Sequence, residues 1–473
     1  ELDPILVSDE NVLIDTFGQI LDKAVDIDGS STSISTCYQD MLSAIGYLKN
    51  GRSLYAVRTM PPSATFAGTM LDITATFVGF DASTALTLKS ETLTDGDIED
   101  PDEFPDEIGS SMGTDQAWII AKDRGYWGNN LRIALIDYTT QTKILSGGLS
   151  GWEDGNVYNV VAGLDSKLKN DEEFLVIVQE KAQKGDTWSL KEFFNVSLDE
   201  NAVDDQGRTK FAETKINSDS SYIRISLLES VKNSNVPTGW SQENFIQLEG
   251  GGDRIGDTVS DNLIIEGYEL FEDPELYTVN MFIDSNKSET VKEKLVELCE
   301  SRKDSIAITD VKYAHVVNNK GNESTDITEW RKGITSPNFN VNSSYVALYG
   351  NWLNVYDKYN NKYRWIPASG FIAGIYAFND NERDPWWAPA GLNRGILDGV
   401  RKLAWNPKKT YRDDLYMSGV NPIVSFAGKG KVVWGQKTML DEFSAFNRVN
   451  VRRLFLVIEK AIKDSAQYFV FQP

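Results

Sequence analysis

The chain is poor in the residues that usually carry catalysis and metal binding. Its 473 residues include one histidine and two cysteines. The usual tetrahedral zinc sets cannot be assembled from these without several carboxylates, so no metal site is predicted. Two cysteines do not form a disulfide framework. Cys37 and Cys299 are therefore expected to be buried thiols of a protein made in a reducing cytosol.

Long apolar runs are also missing. No stretch of about 18 apolar residues occurs, so no transmembrane helix is predicted. The opening sequence ELDPILVSDE has neither the basic nor the apolar region of a signal peptide. We therefore expect no signal peptide and no direct insertion into a membrane.

Negative charge dominates the chain, but unevenly. The formal net charge is −23, while residues 381–473 hold 15 Lys and Arg against 9 Asp and Glu, a net of +6. The remaining residues 1–380 therefore carry a net of −29. This balance argues against nucleic acid as a partner, which needs a dominant cationic face. It permits head-to-tail self-association, although the acidic charge can equally serve solubility alone.

Sequence patterns of catalytic or cofactor sites are likewise incomplete. His315 lies beside a predicted strand, with no serine or cysteine motif nearby, and is interpreted as a structural histidine. The glycine turn in AGKGKVV lacks the spacing and the following helix of a phosphate-binding loop. Gly250-Gly251-Gly252-Asp253 lacks GxGxxG spacing. No catalytic residue and no cofactor is predicted.

Two weaker signals point to ligands. Residues 91–107 contain nine acidic residues and no basic one, which predicts an exposed loop. Alternating Asp95, Asp97 and Glu99 could bind calcium, but the EF-hand spacing is absent. Twelve tryptophans, including Trp386 and Trp387, could stack on sugars, although packing is their commoner role.

The hydrophobic pattern changes along the chain. Helical and strand periods alternate in residues 1–60 and 303–473, which predicts one discontinuous α/β core domain. Residues 61–112 predict a small β-rich, protruding insertion, and residues 113–302 predict a β-rich middle domain. The fold class expected is therefore α+β and multi-domain, an α/β core with β-rich inserted domains.

The last helix shows the clearest pattern. Val451, Phe455, Ile458 and Ile462 recur at i, i+4, i+7 and i+11 and form one face. Basic residues, among them Arg452 and Arg453, occupy other faces.

Several segments together resemble the sheath proteins of contractile tails of the T-even type. The likeness covers most of the chain and is least in residues 61–112. The segments are KDRGYWGNNLRI (122–133), FFNVSLDENAVDDQGR (193–208), YELFEDPELYTVNMFI (268–283), SSYVALYGNWLNVYDKYN (343–360), RWIPASGFIAG (364–374), WAPAGLNRG (387–395) and NVRRLF (450–455).

The resemblance implies a structural subunit and not an enzyme. Copies would polymerise as stacked hexameric rings around a tail tube and contract to drive the tube through the host envelope. Partners would be the tube protein, the baseplate and the tail terminator. The protein would reside in the phage tail, and in the host cytoplasm during assembly. Two alternatives stay open: the sheath of a related injection system of tailocin or secretion type, and a tail-associated protein that binds or hydrolyses glycans.

The resemblance also carries expectations about self-association. Sheath chains have extended arms at both ends, so this sequence is expected to be truncated at both ends. Basic residues of the C-terminal part are the candidates for contacts between copies, with a solvated helix face as the alternative for the two arginines. The candidates are Lys429, Lys431, Lys437, Arg452 and Arg453.

Overall fold

The structure is a computed structural model that describes residues 4–470 with gaps. The gaps are residues 19, 21–22, 26–30, 34–37, 61–63, 65, 73–76, 79–115, 149–154, 164–166, 170–171, 183–186, 228–230, 235, 237–244 and 253–258. The described chain forms two compact units. Unit 1 comprises residues 1, 23–32 and 60–258, and unit 2 comprises residues 2–22, 33–59 and 259–473.

Strands and helices occur throughout the described residues. The strands are β1 (Ile5–Val7), β2 (Lys23–Val25), β3 (Ser31–Ser33), β4 (Leu54–Ala56), β5 (Gly68–Asp72), β6 (Phe77–Val78), β7 (Gln116–Ala121), β8 (Leu131–Asp137), β9 (Glu173–Lys181), β10 (Trp188–Ser197), β11 (Ile223–Leu227), β12 (Ile246–Gln247), β13 (Met281–Ile283), β14 (Ile306–Asp310), β15 (Val346–Tyr349), β16 (Trp352–Asp357), β17 (Lys362–Pro367), β18 (Val400–Leu403), β19 (Val420–Asn421), β20 (Ile423–Phe426) and β21 (Gly430–Val433). The helices are α1 (Glu10–Phe17), α2 (Tyr38–Leu48), α3 (Tyr138–Leu145), α4 (Gly155–Val161), α5 (Ala212–Asp219), α6 (Asp261–Glu269), α7 (Glu289–Arg302), α8 (Tyr313–Val316), α9 (Glu323–Arg331), α10 (Ser369–Glu382), α11 (Lys409–Met417) and α12 (Val449–Ala466).

Unit 1 is built on two antiparallel sheets, with strand orders β10-β9-β8-β12 and β11-β7-β5-β6. The sequence of strand β9, EFLVIVQEK, is almost continuously apolar because both faces of the strand are packed. Phe174, Val176 and Val178 enter the main core of the unit, while Leu175 and Ile177 enter a second cluster with residues of α3 and α4. Because both faces of the strand are covered, neither face meets solvent. The strand therefore lacks the polar residues that would alternate along a half-exposed strand.

Unit 2 is built on a parallel sheet of order β13-β14-β15-β19, beside an antiparallel sheet of order β17-β16-β18. Every residue of β14 is buried. Ile306 and Ile308 pack into one hydrophobic core, and Ala307 packs into another on the opposite face of the sheet. The parallel strands are thus covered by helices on both sides, as parallel sheets require.

The units divide the chain differently from the domains expected from the sequence. The division lies at Thr258–Val259, not at residue 302, because β13 pairs in parallel with β14 and the intervening α7 packs on that sheet. Within the expected insertion 61–112, strand β5 pairs with β7 and belongs to unit 1. Most other residues of that insertion lie outside the described residues.

Helices α2 and α10 cross at a contact that only glycine permits. A Cβ atom built on Gly370 would lie 2.2 Å from the backbone oxygen of Ser43, and one on Gly46 would lie 2.3 Å from the ring of Phe371. The backbones therefore touch without side chains between them. This close crossing seals one face of the unit 2 core, where Phe371 is buried.

We predict that Gly370→Ala lowers the free energy of unfolding by about 1–3 kcal/mol, because the added methyl group meets backbone that cannot rotate away. Urea denaturation of the full chain measures the change. Gly148→Ala is the matched control, since its new Cβ would come no closer than 3.4 Å to any atom. Equal stability of the two variants would contradict the close crossing.

Candidate functional site

The residues that could carry chemistry are occupied in packing. Cys299 is fully buried, and burial raises the pKa of its thiol to about 12, so the reactive thiolate does not form near neutral pH. Burial lowers the pKa of His315, whose ring lies 5.5 Å from that of Trp330. Within the described ranges no cluster of three or more His, Cys, Asp or Glu could hold a metal ion. Cys37 and the acidic residues considered for calcium lie outside the described residues.

None of the described helices is both long and apolar enough to cross a bilayer.

The apolar face that the sequence pattern marks on helix α12 is not the face that is buried. Its buried residues are Val449, Arg452, Arg453 and Leu456. The regularly spaced Phe455, Ile458 and Ile462 are 39%, 42% and 63% exposed. The helix therefore turns an apolar stripe, defined by these three residues, toward its surroundings.

The two arginines predicted for contacts between copies are buried inside unit 2. Arg452 donates to Ser344 Oγ at 2.6 Å, and its guanidinium lies 4.3 Å from the ring centre of Tyr345 and 4.1 Å from that of Phe446. It is only 7% exposed.

Arg453 makes both an ion pair and a hydrogen bond to the backbone. Its NH2 group lies 2.5 Å from Asp380 Oδ2, its NH1 group donates to Pro385 O at 3.2 Å, and its guanidinium stacks over Tyr376. The pair with Asp380 joins α12 to α10. A planar, delocalised cation satisfies such a mixed aromatic and polar pocket better than lysine would, and this is why two arginines can face inward here.

The three candidate lysines lie nearer the surface. Lys429 is exposed in the turn of the β20–β21 hairpin, and Lys431 is half-buried on β21. Lys437 is also half-buried; its Nζ lies 4.6 Å from the ring centre of Tyr416, and burial lowers its pKa. The hairpin turn is therefore the most accessible of the predicted contact positions.

A groove of about 880 Å³ runs beside the edge of the parallel sheet. Edge strand β13 lines it through Met281, and Tyr55 and Phe271 add aromatic walls. Leu456 and Lys460 of α12 also line it. Charged residues line it as well, among them Asp40, Lys287 and Asp304.

A buried ionic network fixes the carboxyl ends of the parallel strands, and the sequence pattern gave no sign of it. Lys292 Nζ on α7 lies 3.0 Å from Asp284 Oδ2, and both side chains are at most 1% exposed. Asp310 Oδ1 accepts hydrogen bonds from the backbone N–H groups of Ala368 and Ser369, each at 2.8 Å, where α10 begins. Asp284 Oδ2 also accepts from Asp310 N at 2.9 Å.

The network buries two carboxyl groups and one ammonium group. Desolvation, and after it the charge of Asp284, raises the pKa of Asp310 from 3.8 to about 7. Around it, Lys292 and the amides at the start of α10 favour the charged form but do not offset burial. The network therefore links α7, α10 and two strands into one rigid assembly with a titratable proton.

Part of unit 2 matches a known protein family. A model of the phage tail sheath protein central domain matches residues 272–439. That segment contains the parallel sheet, the ionic network and the β20–β21 hairpin.

Two curated relatives are both tail sheath proteins. The protein of Vibrio phage KVP40 is 30% identical over 423 residues, which cover 84% of this chain and 59% of the relative. That of Enterobacteria phage T4 is 34% identical over 249 residues, 50% of this chain and 37% of the relative. The chain thus spans less than two thirds of the length of the relatives it matches.

Two solved structures of sheath proteins also align with this chain. A sheath tail protein from Listeria innocua aligns over 98% of this chain and 75% of its own, with a TM-score of 0.49 and 11% identity. The helical sheath of the anti-feeding prophage in its contracted state aligns over 46% of this chain and 54% of its own, with a TM-score of 0.35 and 25% identity.

We predict that the stability of the protein falls as pH rises from about 4 to about 7 through Asp310. The folded state keeps this proton up to a pKa of about 7, whereas the unfolded chain releases it near 3.8. The folded state therefore binds more protons in that window, and the slope should be on the order of 1 kcal/mol per pH unit.

Urea midpoints measured across this pH range test the assignment. Asp310→Asn, which keeps an acceptor oxygen for the α10 amides, should remove this part of the slope. Asp413→Asn, at an exposed position, is the control and should leave the slope unchanged. A profile of Asp310→Asn with the original slope would show that the proton is held elsewhere.

Proposed function

We propose that this chain belongs to the phage tail sheath family and is a structural subunit of a contractile tail sheath. The observation that carries the proposal is the match of a sheath central domain to the segment that forms the parallel-sheet body of unit 2. The relatives are tail sheath proteins, and Cys299 of this chain is buried in a hydrophobic core.

In this proposal copies of the chain form hexameric rings that stack helically around the tail tube. The sheath also meets a baseplate at one end and a tail terminator at the other. No nucleic acid and no cofactor is involved. Assembly takes place in the host cytoplasm, and the finished protein lies in the tail of the virion.

Contraction needs no hydrolysis if the extended lattice is metastable. Each subunit then gains free energy by exchanging one set of neighbour contacts for a better one, and identical gains add along the sheath. Such a mechanism requires bodies that move without deforming. The two-sided burial of the parallel sheet and the network of Lys292 with two aspartates give unit 2 that rigidity.

The contacts themselves are proposed on two exposed features. The apolar stripe of α12 offers surface whose burial between copies would supply most of the free energy. Lys429 and Lys431 at the β20–β21 hairpin would face acidic surface of a neighbour. Exposed ion pairs contribute only about 0–1 kcal/mol each, so they would set register more than strength.

Antibodies raised against this chain test the proposal directly. On particles of the phage that encodes it, immunogold electron microscopy should place label along the full length of the tail, over a shorter length after contraction. Label confined to the tail tip would instead favour a tail-associated protein that binds or hydrolyses glycans. Label on tails that carry no capsid would favour a related injection system.

We further predict that Lys429→Glu with Lys431→Glu weakens association between copies about tenfold at low salt, and less at high salt, because charge is screened there. Sedimentation of the assembled sheath at several salt concentrations measures this. The control is Lys320→Glu with Lys332→Glu, an equal charge change at exposed positions of unit 2. Identical sedimentation of the two double variants would remove the hairpin from the interface.

A further inference from the structure

The outer face of the antiparallel sheet in unit 2 carries aromatic rings that are open to solvent. Tyr356 on β16 pairs with Tyr363 on β17 in the register of the sheet, and the ring centres lie 5.2 Å apart. The two side chains are 47% and 50% exposed. Trp365, two residues along β17, lies on the same side of the strand because strand side chains alternate, and it is half-buried against a hydrophobic core of unit 2.

A β-bulge adds two cations to this face. Leu403 pairs with Leu353 and Lys402 with Asn354, but Val355 pairs with Val400, so Arg401 is the extra residue of β18. The extra residue breaks the alternation, which allows neighbouring side chains to lie on one side of the sheet. Arg401 indeed lies over the ring of Tyr363 at 4.1 Å, and Lys402 over that of Trp365 at 5.3 Å.

These two cations differ from Arg364, another basic residue of the same sheet. Arg364 has its charge matched by the buried carboxylate of Asp357 at 2.9 Å. Arg401 and Lys402 are exposed, and in the described part of the chain neither forms an ion pair. Aromatic contacts hold their side chains in place while leaving their charge unmatched. The face made by Tyr356, Tyr363, Trp365, Arg401 and Lys402, the cationic aromatic face, is therefore preorganised for an anionic partner.

The chain itself contains a segment with the complementary chemistry. Residues 91–107, ETLTDGDIEDPDEFPDE, hold nine carboxylates and no basic residue. Pro101, Phe104 and Pro105 lie among them, and rings of this kind pack on exposed tyrosine and tryptophan.

We propose that residues 91–107 of one copy bind the cationic aromatic face of a neighbouring copy. Carboxylates of the segment would pair with Arg401 and Lys402, and Phe104 with the prolines would pack on the tyrosine rings. The inference rests on the proposed function, since a sheath brings copies of the chain together at high local concentration. It assigns a specific contact to the acidic insertion, which the β20–β21 hairpin and the α12 stripe do not involve.

The test is a binding titration of the full chain with a fluorescent peptide of residues 91–107, followed by anisotropy. The peptide should bind, and Arg401→Glu with Lys402→Glu should weaken binding at least about tenfold. Lys320→Glu with Lys332→Glu should change it less than about twofold, since that pair lies elsewhere on the surface. Phe104→Ala in the peptide should weaken binding as well. A peptide that does not bind, or that binds both double variants equally, overturns the proposal.

A charge swap keeps the result independent of any damage to the fold. A peptide with Asp100→Lys and Asp102→Lys should bind the Arg401→Glu, Lys402→Glu protein better than the wild-type peptide does. Failure of this rescue in a variant that unfolds cooperatively contradicts the assigned pairing. Heparin or a single-stranded oligonucleotide that binds this face when the peptide does not would assign it to another kind of anion and overturn the proposal.

Electron microscopy separates this inference from the proposed function. If Arg401→Glu with Lys402→Glu leaves labelled tails of normal length and the peptide does not bind, the sheath assignment stands and the contact is wrong. If the peptide binds as expected and the protein is absent from tails, the contact is real and the sheath assignment is wrong.

Discussion

The structure of unit 2 depends on covering both faces of a parallel sheet while its strand ends remain polar. Burial of every residue in β14 leaves Asp310 in the interior, where a lone carboxylate would be costly. The amides that begin α10 bind this carboxylate, and Lys292 on α7 binds its neighbour Asp284. Both helices are thereby fixed to the sheet by polar contacts in addition to apolar packing. Such a network specifies position more than it adds stability.

The packing of unit 2 also determines which face of helix α12 is buried. The pocket that receives it is lined by Tyr345, Tyr376 and Asp380, so arginine fits where an aliphatic side chain would leave the carboxylate unpaired. With Arg453 inside, the apolar stripe of the helix is turned outward. Exposed apolar surface is unfavourable in water, so covering the stripe with another surface would lower the free energy.

This division of labour suits the proposed sheath subunit, whose contacts with its neighbours would change on contraction. A body locked by glycine contact between α2 and α10, and by buried ion pairs, does not adjust its interior when its contacts change. The features proposed to make contacts lie at its surface: an apolar helix face, a basic hairpin and a cationic aromatic face. Each is weak alone, and a lattice of identical copies adds such contacts in large numbers.

The sequence alone indicated the sheath resemblance, the mixed α+β class, the last helix α12 and the lack of catalytic patterns, because these depend on local period and residue type. It could not give the boundary at residue 258, since only the pairing of β13 with β14 ties residues 259–302 to unit 2. The orientation of α12 also needed the tertiary structure. Periodicity marks an apolar face, but whether Arg453 or Phe455 is buried depends on which pocket the rest of the chain builds.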